Sequence, residues 1–387
     1  MKKTFLFFLI FSFYFSNLMG QYNSVLATGN WYKVSTKTEG VYKLDYSSIS
    51  QLGVNVNNLQ IQDLKLYGNG GGMLPKLNSD FRHDDLIENT IKIHDANNNG
   101  VFESEDYLLF YGQSPHQWVF NPISVSFLHQ VHLFSDEVNY YLTIDNQSIG
   151  KRIQEKQSFS NPTETITSFN DYAFHEAELE NLIQSGQQWF GERFDYQNSQ
   201  NFSFSFPNIE QNSPVSIKTA VVGRSLLSSS FTVKANNSIL TTISVPNIVH
   251  TYATEYAKLA SKTIDYTSSS STINIDLEYS STDNGAMSWL NYIELNARRK
   301  LKMSGNSMLF RDATIISSSI GKFDIENALG ITVWDVSDPT TVSLLPTSLS
   351  GNILSFNDSL NELHQYLAFN NSAYLTPTLK GSISNQN

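Results

Sequence analysis

Phe202-Ser203-Phe204-Ser205-Phe206 and Ile273-Asn274-Ile275-Asp276-Leu277-Glu278-Tyr279 alternate apolar and polar side chains residue by residue. Successive side chains of a β-strand point to opposite faces, so this period of two buries one face and wets the other. Val215, Ile217 and Thr219 repeat the pattern, as do Phe231 and Val233 before a turn at Asn236 and Asn237, and Trp289, Asn291, Ile293 and Leu295. Short strands separated by Ser, Asn, Asp and Gly turns are the pattern of an antiparallel sandwich. A jelly-roll-like β-sandwich is therefore expected over residues 187–311.

Working outward, the N-terminal side reads as a small β-rich domain, residues 21–153. Trp31 to Ser35 and Val41 to Leu44 form a hairpin, with a turn through Thr38, Glu39 and Gly40. Asp45 caps a short helix whose buried face carries Ile49 and Leu52, and Gly53 suits the left-handed position past its end. Ile61 to Tyr67, Ile91 with Ile93, and Tyr107 to Tyr111 supply further strands. Residues 154–186 read as a linker followed by a short amphipathic helix, His175 to Gln184, on the spacing of Ala177, Leu179, Leu182 and Ile183. Residues 312–375 hold more β structure, with strands at Ile331 to Val336 and Ile353 to Phe356, and 376–387 read as a polar tail. The fold class is mainly β with few short helices, and no repeat of fixed period is visible.

The chain starts like a secretory signal peptide: Lys2 and Lys3, an apolar run from Phe5 to Phe15, then Ser16 to Gly20. That run is too short to span a bilayer, which takes roughly 20 apolar residues, so no transmembrane helix is expected in the mature chain. Removing Lys2 and Lys3 from the 25 basic side chains leaves 23 against 36 acidic ones, a formal charge of −13. Such a charge disfavours nucleic acid and anionic membranes as partners. Cysteine is absent, which excludes disulfides, thiolate metal sites and a thiol nucleophile within these 387 residues.

Among groups that carry chemistry, the sharpest signal is Asp95-Ala96-Asn97-Asn98-Asn99-Gly100 followed by Glu103 and Asp106. With Asp95 first, oxygen-bearing side chains fall where an EF-hand-type loop places its calcium ligands, and glycine falls at its sharp turn. Calcium is the one cofactor this sequence suggests. Asp106 stands where the loop has a bidentate Glu, and strands flank it instead of helices, so a plain polar turn competes with the metal loop. The Gly68-Asn69-Gly70-Gly71-Gly72 run lacks the Lys and Ser/Thr of a phosphate loop and reads as a tight turn. His129 and His132 lack a third metal ligand. Trp189 and Trp289 fit either the core or a sugar-stacking surface, and Arg298, Arg299, Lys300 and Lys302 read as a solvated strand end.

Several stretches, in order over nearly the whole mature chain, resemble one family. They are Ser24-Val25-Leu26-Ala27 with Trp31-Tyr32-Lys33; Gly40-Val41-Tyr42-Lys43-Leu44; Leu66-Tyr67-Gly68-Asn69-Gly70-Gly71-Gly72; and Asp106-Tyr107-Leu108-Leu109-Phe110-Tyr111-Gly112. Trp189-Phe190-Gly191-Glu192, Trp289-Leu290-Asn291-Tyr292-Ile293-Glu294-Leu295-Asn296, Leu309-Phe310-Arg311-Asp312 and Val333-Trp334-Asp335-Val336 follow. Together they resemble the N-terminal region of PorU-type sortases, the gingipain-like cysteine endopeptidases of the type IX secretion system. The resemblance implies a cell-surface or outer-membrane-associated protein of a Gram-negative, Bacteroidota-like bacterium. It implies as partners a caspase-like peptidase domain with a His and Cys dyad, other secretion components, and cargo whose C-terminal signal is removed. No catalytic residue of that family maps onto a position here. The chain is then either the non-catalytic part of a longer enzyme or a stand-alone relative without peptidase activity. The alternative from a different class is a secreted carbohydrate-binding or adhesive sandwich module.

Overall fold

The computed structural model describes residues 24–249, 251, 255–316 and 319–386, so the signal-peptide segment 1–20 lies outside the described residues. Eight strands form the sandwich that the alternating stretches predict: β1 (Ser168–His175), β2 (Ser199–Ser205), β3 (Pro214–Arg224), β4 (Ser229–Ala235), β5 (Ser238–Val245), β6 (Lys258–Thr267), β7 (Thr272–Ser280) and β8 (Met287–Lys300). One sheet runs β1-β8-β3-β6 and the other β2-β7-β4-β5, every pair antiparallel. Apart from the β4–β5 hairpin, each successive strand lies in the opposite sheet, which is the jelly-roll arrangement. Phe202, Phe204, Phe206, Phe231, Ile273, Ile275, Leu277, Ile293 and Leu295 all point into its core.

The N-terminal unit packs a five-stranded sheet on a three-stranded one. In the first, Trp31–Thr36 lies between Val138–Ile144 and Thr378–Ile383, with Leu64–Tyr67 and Glu88–Asn89 beyond. The second is Gly40–Asp45, Tyr107–Gly112 and Lys92–His94. Val34, Leu44, Leu64, Leu66, Leu108, Phe110 and Leu142 fill the space between. The helix Tyr46–Gln51 forms as expected: Asp45 Oδ1 accepts the Ser48 N–H at 2.8 Å, and Gly53 takes a φ of 96° that a side chain would resist.

A third unit stacks two four-stranded sheets around Phe310, Phe323, Phe356 and Tyr366. Its strand Glu164–Ile166 comes from the segment read as linker and pairs parallel with Ile320–Ile325. Val41, Leu109 and Tyr111 of the first unit share a further core with Trp334, Val336, Leu367 and Phe369 of the third.

Three expectations are corrected. Trp31–Thr36 and Gly40–Asp45 are not a hairpin: the chain crosses between them from the five-stranded sheet to the three-stranded one, and each pairs with strands distant in sequence. Residues 175–184 are not helical: the Leu179 and Glu180 N–H groups both donate to the Phe190 carbonyl at 2.9 Å, so the backbone pairs across a loop instead of along a turn. Residues 376–387 are not a tail, because Thr378–Ile383 pairs with Trp31–Ser35 and closes the chain onto its own first strand. No helix among the described residues is long and apolar enough to cross a membrane.

Candidate functional site

Of the five residues proposed from sequence for calcium, Asp95, Asn97, Asn99 and Glu103 lie on one surface loop and Asp106 is buried behind it, and the three carboxylates do not gather around a common point. The loop between Lys92–His94 and Tyr107–Gly112 turns at Asn98 (φ 55°) and Gly100 (φ 79°). Asp95 accepts the Gly100 N–H at 2.9 Å, and Asn99 Oδ1 accepts the Val101 N–H at 2.7 Å. The amide groups of Asn97 and Asn99 both donate to Glu103 Oε2, at 2.7 and 3.0 Å. Asp106 is buried, and its two oxygens accept the Ala96 and Glu103 N–H groups at 2.8 and 2.7 Å. Asp106 thus ties the loop ends together, while Asp95, Asn97, Asn99 and Glu103 face one another at the surface. An amide turned about its Cβ–Cγ bond presents oxygen where it now presents nitrogen, and the cluster then offers the hard oxygen donors calcium takes.

A second acidic cluster lies in the third unit and was not legible in the sequence. Asp335, Asp358 and His364 come together, with His364 Nδ1 3.6 Å from Asp335 Oδ2. A cation already sits between them: Lys156 Nζ donates to Asp335 and to Asp358, each at 2.7 Å. The Tyr366 hydroxyl donates to Asp358 at 3.0 Å and the Ser337 hydroxyl to Asp335 at 2.6 Å. Burial alone would raise the Asp335 carboxyl, but the hydrogen bonds from His364, Lys156 and Ser337 outweigh it and hold it far below the usual carboxylate range. The arrangement is an ammonium-filled brace between residues 179 and 202 positions apart, not an open metal site.

A third cluster joins the first unit to the jelly roll. The hairpin Gln117–Asn121 with Ser126–Gln130 lies across the outer face of the β1-β8-β3-β6 sheet. Asn296 on β8 accepts the Phe127 N–H at 2.7 Å and donates to its carbonyl at 2.9 Å. Trp118 stacks on Tyr172 with centroids 3.8 Å apart, and the buried Arg311 guanidinium covers the other aromatic contact, 4.4 Å from Tyr172. His129 meets Glu294 and Glu176. A cleft of about 520 Å³ opens beside this contact, lined by Asn121 and Leu128 of the hairpin and by Lys218, Asp265, Glu294 and Arg298 of the sheet.

The remaining sequence candidates resolve into structure. Trp289 is buried and donates to Glu180 at 2.7 Å, which removes it as a sugar platform, whereas Trp189 stays partly exposed. Arg298 pairs with Asp312 and Arg299 with Asp171, both at 2.7 Å, so these two are internal ties, while Lys300 is exposed as a solvated strand end would be. His132 uses Nδ1 to accept the Ser135 N–H at 2.9 Å and shares no ligand set with His129.

No protein-family model matches this chain, and no curated protein matches it. Among solved structures it superposes on dimeric latent PorU from Porphyromonas gingivalis with a TM-score of 0.78, at 20% sequence identity. The overlap covers 94% of this chain and 34% of that one. The fold is PorU-like. The chain therefore spans about a third of that protein's length. The insecticidal delta-endotoxin Cry8Ea1 from Bacillus thuringiensis matches 62% of this chain and 43% of its own at 12% identity, with a TM-score of 0.23 that supports no shared architecture.

Lys156→Met strands two carboxylates without their cation and is expected to cost about 3–5 kcal/mol at pH 7, read by urea denaturation. A carboxyl held below its unfolded value stabilises the fold above the ordinary range near pH 4 and loses that contribution as pH falls. The penalty of the variant should accordingly shrink on acidification; an equal penalty at pH 7 and pH 3 would show that the brace is not electrostatic.

Proposed function

We propose that these residues form a non-catalytic, N-terminal region of a type IX secretion sortase, exported and held at the cell surface or outer membrane. The observation that carries this reading is the superposition of 94% of this chain on 34% of PorU. The order of the quoted sequence segments supports it independently. With no thiol among these residues, the cysteine chemistry of such an enzyme belongs to a separate peptidase domain, which this region would support while cargo is presented to it. An apolar layer shared by the first and third units suits that task, because a rigid platform fixes the position of whatever it carries. Removing the coding region for these residues from the source bacterium should leave cargo proteins with their C-terminal signals attached, seen by mass spectrometry of the surface fraction. Normally trimmed cargo in that strain would overturn the reading.

We further propose that the Asp95 loop binds calcium, with Asp95, Asn97, Asn99 and Glu103 as ligands and Asp106 as the brace behind them. A ligand that binds only the folded state raises its stability by mass action, about 2.7 kcal/mol at a hundredfold excess over its dissociation constant. For a chain of this size the Tm should rise by about 3 °C or more between chelator and 1 mM calcium. Asp95→Ala should abolish the difference. Coincident melting curves for the unsubstituted protein with calcium and with chelator would leave the loop a polar turn.

A further inference from the structure

The hairpin that crosses the jelly roll is fastened at one point by charge. His129, almost fully buried, places Nδ1 2.6 Å from Glu294 Oε2 on β8 and Nε2 2.7 Å from Glu176 Oε2 just past the end of β1. Its own backbone N–H also donates to Glu294 at 2.8 Å. The ring stacks on Phe174 with centroids 4.5 Å apart and meets the edge of Tyr292 at 4.7 Å. Both ring nitrogens therefore face carboxylates, and only the imidazolium has two N–H groups to give them. A neutral ring donates once, leaving its other lone pair against a carboxylate in a nearly dry site, an arrangement that costs free energy.

We propose that the hairpin is a strap fastened by protonated His129, and that loss of this proton loosens the strap and widens the cleft beside it. Other links across this contact are not altered by that step: the Phe127–Asn296 amide pair, the Trp118–Tyr172 stack, the His129 backbone N–H to Glu294 and the Arg311 guanidinium over Phe127. Release of the strap enlarges the polar surface on the outer face of the sheet, of which Lys218 and the exposed Asp265 already form part in the cleft.

The groups around His129 set the direction. From the sheet come Glu294 and Lys218, whose ammonium lies 5.3 Å from the Tyr292 ring. From the segment after β1 come Glu176 and its neighbour Glu178, and from the base of the strap His116, His132 and Asp136. His116 Nδ1 accepts the His132 N–H at 3.1 Å and His132 Nδ1 accepts that of Ser135, so both rings hold an unprotonated nitrogen and neither substitutes for His129. Burial alone would lower the His129 pKa; the hydrogen bonds and charges of Glu176 and Glu294 outweigh it and raise it above the usual imidazole value. A group raised in the folded state stabilises fully below its ordinary pKa, near 6.5, and loses that contribution as pH rises through the folded value. The strap is thus fastened in weak acid and released on the alkaline side.

Hydrogen exchange of the intact chain, corrected for intrinsic rates and followed by mass spectrometry, reads this directly. Protection within residues 117–130 should fall at least tenfold between pH 6 and pH 9, while residues 273–279 keep theirs. Glu176→Gln, which changes a partly exposed partner and spares the core, should move the midpoint to lower pH. His129→Gln should leave the strap weakly protected at every pH, and His116→Gln should leave the midpoint where it was. Strap protection that stays flat with pH, a midpoint unmoved by Glu176→Gln, or one abolished by His116→Gln would overturn the proposal.

Discussion

The pairing that the rest of the structure depends on is Trp31–Thr36 held between Val138–Ile144 and Thr378–Ile383. The chain's first described strand is locked by its last, so everything between them is a closed excursion. Such contacts pay a large loop-closure entropy before they return any burial. With no cysteine to share that cost, the return comes from apolar area alone: the jelly-roll core, the two sheets of the first unit, and the layer of Val41, Leu109 and Tyr111 against Trp334, Leu367 and Phe369. Units built from strands far apart in sequence do not slide past one another easily, since moving one breaks a sheet of another.

Polar contacts tie segments distant in sequence and do a different task. Lys156 crosses to Asp335 and Asp358, Arg299 crosses between strands to Asp171, and His129 crosses from hairpin to sheet. Each of these charges is paired, as burial requires, because an unpaired one is costly in a dry site. Such pairs add little to net stability, yet they reject misplaced packings in which one partner would be left alone. Apolar burial makes the cores, and these ties fix how the cores face each other.

The jelly roll was legible because its strands bury one face each, which writes a period of two into Phe202 to Phe206 and Ile273 to Tyr279. The Asp45 cap and Gly53 were legible because their chemistry is local. Thr378–Ile383 was not, since it is an edge strand of mixed polar residues that gains most of its stability from backbone pairing. The helix expected over 175–184 came from apolar spacing without burial: Leu179 and Ile183 are exposed, and long-range pairing to Phe190 overrode the local pattern. At the candidate sites, the Asp95 loop was readable because its polar side chains lie within twelve positions, whereas His129 finds its carboxylates 47 and 165 residues away. Distance along the chain hid that contact, not weakness of the contact itself.

The pairing of Trp31–Thr36 with Thr378–Ile383 is expected to make the first and third units open as one. The most direct measurement is hydrogen exchange on heating, comparing strand Leu64–Tyr67 of the first core with Tyr366–Phe369 of the third. The account predicts that both lose protection at the same temperature, and that truncation after Pro377 lowers both together. Separate temperatures, with one strand still protected after the other has opened, would contradict it.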